Sequence, residues 1–76
     1  MNSAADKLSG QRVLIVEDVL TTGGQVVEAA KSIEAVDAKV VKIVAVIDRL
    51  EGARQNIESA GYTFESLFTT KDLGVA

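Results

Sequence analysis

The run Val13 to Gly24, V-L-I-V-E-D-V-L-T-T-G-G, limits the folds open to this chain more than any other stretch. Its apolar opening predicts a buried strand, Arg12 to Val16. Two carboxylates, Glu17 and Asp18, follow at the strand's C-terminal end. Thr21, Thr22, Gly23 and Gly24 then lead into a helical pattern. The carboxylates are suited to accept hydrogen bonds from sugar hydroxyls. The threonine hydroxyls, and the backbone N–H groups that a helix start leaves unpaired, favour an anion. A ligand that is both a diol and a phosphate fits this layout, and a phosphorylated ribose is the obvious candidate.

The rest of the chain extends the same pattern. Met1 to Ser9 reads as a flexible lead, and residues 10–76 as a single domain. From Gln25 to about Val36, apolar residues at Val26, Ala29, Ala30 and Ile33 have helical spacing. Val40 to Ile47 is nearly all apolar and predicts a parallel strand buried on one face and partly on the other. Leu50, Ala53, Ile57 and Ala60 form a second helical stripe, which Gly61 ends in a left-handed conformation. Thr63 to Phe68 is a third short strand, with Tyr62, Phe64 and Phe68 packing it. The order β-α-β-α-β predicts an α/β fold with a parallel sheet and right-handed crossovers. If both crossovers step the same way, the strand order is 1-2-3. Both helices then cover one face and leave the other bare. Ala35-Val36-Asp37-Ala38 occupies the first helix-to-strand turn, and Asp37 is its best candidate for a left-handed residue.

Composition narrows the function classes. At 76 residues the chain is one small domain, with a core that is modest for its 47% apolar content. Without cysteine or histidine it has no disulfide, no thiolate–metal site and no imidazole base. A net charge of −3 with no basic patch argues against nucleic-acid binding. No apolar run is long enough to span a membrane, and the polar start lacks the pattern of a signal peptide. A cytoplasmic protein is the expectation. Neither the G-x-x-x-x-G-K-[ST] nor the G-x-G-x-x-G phosphate loop occurs.

The segment Glu17-Asp18-Val19-Leu20-Thr21-Thr22-Gly23-Gly24 resembles the phosphoribosyl-pyrophosphate (PRPP) loop of type I phosphoribosyltransferases. Val46-Ile47-Asp48-Arg49, Glu51-Gly52, Ala60-Gly61 and Ser66-Leu67-Phe68-Thr69 resemble the C-terminal part of the orotate branch. The resemblance covers Leu8 to Leu73. It implies a Rossmann-like half-fold in which Glu17 and Asp18 hold the ribose hydroxyls of PRPP. Val19, Leu20, Thr21, Thr22, Gly23, Gly24 and Gln25 complete the PRPP site, with the glycines admitting the phosphate to the backbone. Arg49 and Thr21 would contact orotate, and Asp48 would orient the arginine or its loop. The implied reaction converts orotate and PRPP to orotidine 5′-phosphate and pyrophosphate in pyrimidine biosynthesis. Mg²⁺ would ride on the substrate oxygens with no direct protein ligand.

Each assignment has a plainer alternative. Glu17 and Asp18 are also readable as solvated acids, a threonine as an ordinary helix cap, and Arg49 as the partner of Asp48 or Glu51. The pyrophosphate loop and the mobile basic loop of the orotate branch have no counterpart in this sequence. The expectation is therefore a C-terminal fragment that binds ribose phosphate without turnover and forms a homodimer or larger oligomer. Two other classes compete. One is a non-catalytic excised or designed half-fold that self-associates. The other is a receiver-like signalling domain, suggested by V-L-I-V-E-D but leaving Thr-Thr-Gly-Gly unexplained.

Overall fold

The computed structural model describes residues 9–74; apart from Ser9, the expected flexible lead lies outside them. Strand β1 (Arg12–Leu20) leads to helix α1 (Gly24–Glu34), strand β2 (Lys39–Asp48), helix α2 (Ala53–Ser59) and strand β3 (Phe64–Thr69). The strands form one parallel sheet in the order β1-β2-β3, so both crossovers step the same way. No helix among the described residues is long and apolar enough to cross a membrane.

Register decides which side chains meet. Ile15, Ile43 and Phe64 lie side by side across the sheet, as do Glu17, Ala45 and Ser66. These rows face the helices: Ile43 and Ala45 are fully buried and Phe64 nearly so. The core cluster joins them to Val26 and Ala30 of α1 and to Ala53 and Ile57 of α2. The register shifts between Val13 and Leu14, which pair with Val40 and Lys42 and leave Val41 as the extra residue. This bulge brings Val40 into the buried set together with Ile43, three positions away, where an unbroken strand would turn them to opposite faces.

The alternate rows face outward. Leu14, Val16 and Leu67 are all more than half exposed, so the sheet has the bare side that the 1-2-3 order implies. The Lys42–Glu65 ion pair, at 2.8 Å, bridges β2 and β3 on this side. Its ammonium holds the Glu65 carboxyl below the usual range through a hydrogen bond and its charge.

At the far end, Glu34 ties three elements together. Its carboxylate accepts the Val40 N–H at 3.1 Å and the Tyr62 hydroxyl at 3.0 Å. Desolvation first, then this hydrogen bond and the carboxylate's charge, push the Tyr62 phenol above its ordinary value. Asp37 has φ 67° and Gly61 φ 94°, so both turns use the left-handed residues expected of them.

Several boundaries differ from the sequence reading. β1 continues through Glu17 and Asp18 to Leu20, because ladder pairing with β2 persists past the acidic pair. α1 stops at Glu34, and its inward stripe uses Val27 where Ala29 was expected. Leu50 is outside α2, at φ 61° and 53% exposed, and Ala60 follows the helix as its exposed cap. Phe68 is 48% exposed even though it shares parity with Phe64. It sits near the end of a strand that, among the described residues, is at the sheet's edge.

Candidate functional site

A cavity of about 280 Å³ opens at the C-terminal edge of the sheet, between the end of β1 and the start of α1. Glu17, Val19, Leu20, Thr21, Thr22, Gly23, Gly24, Gln25 and Val26 line it. This is the edge at which open α/β sheets bind ligands. Of the residues expected to hold PRPP, all but Asp18 line the cavity. Strand alternation separates the two acids. Glu17 is half-buried on the helix side, while Asp18 is exposed and points to the bare side.

The helix start is built by backbone and not by a threonine cap. Gly23 is the N-cap at φ 80°, and no side chain accepts a hydrogen bond from the first turn. The first intrahelical bond runs from Val27 N–H to Gly23 C=O at 3.1 Å. The N–H groups before it are left for solvent or a ligand. The first turn carries no acidic residue to compete with an incoming anion.

The two glycines do different jobs. A Cβ on Gly23 would come within 3.2 Å of the Ala53 Cα, 3.3 Å of its Cβ and 3.3 Å of Ile57 Cγ1. Gly23 is therefore needed for its positive φ and for close packing on α2, a role not read from the sequence. Gly24 has open space around it, its nearest neighbour being Thr22 Oγ1 at 3.9 Å. It is the glycine that leaves room for a ligand to approach the backbone. On the α2 side, Asn56 Nδ2 donates to the Thr22 carbonyl at 2.6 Å. This contact spans 34 residues, and no local signal in the sequence announces it.

Arg49 does not line the cavity. Its Nε pairs with Glu51 at 3.2 Å, with both side chains about half exposed. Asp48 is buried, and its Oδ1 accepts the Leu50 N–H at 2.9 Å. Asp48 thus shapes the β2–α2 loop, and the arginine's ionic partner is Glu51. After β3, Thr69 and Asp72 bond reciprocally: Asp72 Oδ2 accepts the Thr69 N–H, and Thr69 Oγ1 accepts the Asp72 N–H. The Thr-x-x-Asp spacing was a readable capping signal that the sequence reading did not use.

A parallel α/β sheet whose first crossover presents an open glycine helix start beside a carboxylate defines a class of domain with a ligand-edge cavity suited to an anion. Residues 1–70 match the phosphoribosyl transferase domain family, and the chain belongs to that family. It is 53% identical over 64 residues to an orotate phosphoribosyltransferase of Pyrococcus abyssi, covering 84% of this chain and 35% of that protein. A second relative of the same name, from Methanocaldococcus jannaschii, is 45% identical over 64 residues, again 84% of this chain and 36% of the relative. Among solved structures, Mycobacterium tuberculosis orotate phosphoribosyltransferase in complex with PRPP superposes with a TM-score of 0.83 at 40% identity, over 90% of this chain and 42% of that one. Adenine phosphoribosyltransferase from Thermoanaerobacter pseudethanolicus gives 0.74 at 35% identity, over 82% of this chain and 36% of that one. The chain spans about a third of the length of the relatives it matches.

Proposed function

We propose that this chain is the ribose-phosphate-binding part of an orotate phosphoribosyltransferase. The observation that carries the reading is the cavity lined by consecutive residues Thr21 to Val26 at an uncapped helix start, with Glu17 on its wall. The orotate name of the related proteins supports the choice of base.

In the proposed reaction, the C1–O bond of PRPP breaks and its electron pair leaves with pyrophosphate. The orotate ring nitrogen, having released its proton, forms the new C1–N bond. The α1 start and Thr21 to Gly24 would hold the 5′-phosphate. Glu17 would accept from a ribose hydroxyl and stabilise positive charge developing on the ring. Asp18, on the other side of the pleat, would have to reach the ribose around the end of the strand. Arg49 would have to exchange Glu51 for the base carboxylate, which its exposed pairing permits at little cost. Mg²⁺ supplies charge neutralisation on pyrophosphate when bound.

A ¹H–¹⁵N titration with PRPP and Mg²⁺ tests the reading. Shifts confined to Glu17 through Val26 are expected. A dispersed spectrum that does not respond would overturn it for this chain and favour the non-catalytic half-fold.

The bare face supports a second proposal, self-association. Along β1 its outward residues run Arg12, Leu14, Val16, Asp18, apolar in the middle with opposite charges at the ends. Two copies packed face to face with antiparallel β1 strands would set Arg12 against Asp18 of the partner subunit and bury the apolar pair between them. A strictly monomeric species by light scattering at high concentration would refute this.

A further inference from the structure

We infer that Asn56 is a positioning residue that locks the Thr22–Gly23 peptide so that the Gly23 N–H faces the cavity. The inference rests on the function proposed above. It begins with the 2.6 Å hydrogen bond from Asn56 Nδ2 to the Thr22 carbonyl. In a trans peptide the C=O of one residue and the N–H of the next point in opposite directions, and no peptide bond in the described chain is cis. Drawing the Thr22 oxygen toward α2 therefore turns the Gly23 N–H away from α2. Thr22 and Gly23 line the cavity, whereas Asn56, Ala53 and Ile57 do not. The loop is the wall between the two, so the side away from α2 is the cavity side.

The lock has something to hold against. Gly23 lacks the Cβ that limits backbone rotation, so the peptide before it is free to flip at low cost. A flipped peptide would aim the Thr22 carbonyl at the incoming phosphate, replacing a donor with a like partial charge. The tight seat of Gly23 on Ala53 and Ile57 fixes where the loop lies. The Asn56 donor fixes which way its peptide points. Asn56 is itself exposed on α2, so this bond contributes little to the core. An amide is suited to the task because it offers a donor to a carbonyl and brings no charge to the neighbourhood of an anion.

The test uses the whole chain with Asn56→Ala and Asn56→Asp, ribose 5-phosphate as the probe, and the ¹⁵N order of Gly23 and Gly24 in the free protein. Asn56→Ala is expected to lower the order of both glycines and weaken ribose 5-phosphate about fivefold, the value of one lost hydrogen bond, with the unfolding midpoint nearly unchanged. Asn56→Asp is expected to bind more weakly still at pH 7, where a carboxylate only accepts. It should recover toward the parent's affinity, measured at the same pH, as the pH falls toward about 4 and the carboxyl gains a proton to donate. Glycine order unchanged in Asn56→Ala, or an Asn56→Asp deficit independent of pH, would overturn the inference. If the parent chain binds no ribose 5-phosphate, the proposed function falls, while the order of Gly23 in the free variants still decides whether Asn56 holds the loop.

Discussion

The two β-to-α turns of this sheet use one backbone device to opposite ends. α1 and α2 both begin on a left-handed glycine, Gly23 at φ 80° and Gly52 at φ 105°, and neither has a side-chain cap. Both turns follow a strand at the ligand edge of the sheet. The second turn supplies its own anions. Asp48 accepts the Leu50 N–H from within the loop, and Glu51 pairs with Arg49. Neither helix carries an acid in its first turn, but the loop before α1 has none either, and its one inward acid, Glu17, stands back on the strand. The difference lies in the carboxylates each loop carries. A loop with its own carboxylates reads as a structural corner, and one free of them fits the receptor role proposed above.

This contrast is most easily broken at the glycines. Gly23→Ala adds a left-handed penalty to a Cβ forced against the Ala53 backbone at 3.2 Å. It is expected to cost about 3 kcal/mol in urea unfolding, while Gly52→Ala, whose Cβ would meet only Asn56 Nδ2 at an ordinary 3.9 Å, costs about half as much. Equal costs would mean that the packing of the first turn on α2 contributes nothing. Next in size is Asp48→Ala, which removes the buried carboxylate that accepts the Leu50 N–H and is expected to cost about 2 kcal/mol. Asp48→Asn keeps an acceptor and should recover most of that loss, and neither change should move ribose 5-phosphate affinity. Glu17→Gln is the mirror image. It should leave stability within about 0.5 kcal/mol and weaken PRPP about tenfold, since a charged acceptor becomes a neutral one. A Glu17 variant that unfolds the chain, or an Asp48 variant that abolishes binding, would erase the distinction between corner and receptor.

How far the sequence showed this contrast depends on how local each cause is. The element order, the bare face and the left-handed Asp37 and Gly61 were legible, because periodicity and turn chemistry act over a few residues. The continuation of β1 to Leu20 was not, since Glu17-Asp18 reads as a strand end while the pairing that extends it comes from β2. The Val41 bulge hides inside an apolar run in which every register looks alike. Leu50 fitted the second helical stripe by spacing, but the Asp48 side chain captured its N–H and turned it out of the helix. In the site, the open helix start was legible from Thr-Thr-Gly-Gly. The packing of Gly23 on Ala53 and the Asn56 bond were not, because both depend on how α2 docks.

Two titrations away from both turns serve as controls on the contrast, and the smaller is the more discriminating. Tyr62 has its pKa raised in the fold, by desolvation and by its bond to Glu34, so its contribution is complete below the unfolded value and lost as pH rises through the folded one. The parent's stability should therefore fall more steeply at alkaline pH than that of Tyr62→Phe, which has no proton to lose, closing the gap of about 0.5 to 1 kcal/mol by which the variant is less stable at pH 7. Glu65 has the opposite sign. Lys42 lowers its folded pKa, so the pair helps above the unfolded carboxylate value and is lost as pH falls through the folded one, below the usual carboxylate range. The pair is exposed on the bare face, and 1 M salt should screen most of what it contributes. A Glu65→Gln chain is expected to match the parent at high salt and to show a flatter acid limb at low salt. If instead the variant shifts the Gly23 or Gly24 amides, the bare face is coupled to the first turn through β2, and the openness of that turn is a property of the whole sheet and not of its own loop.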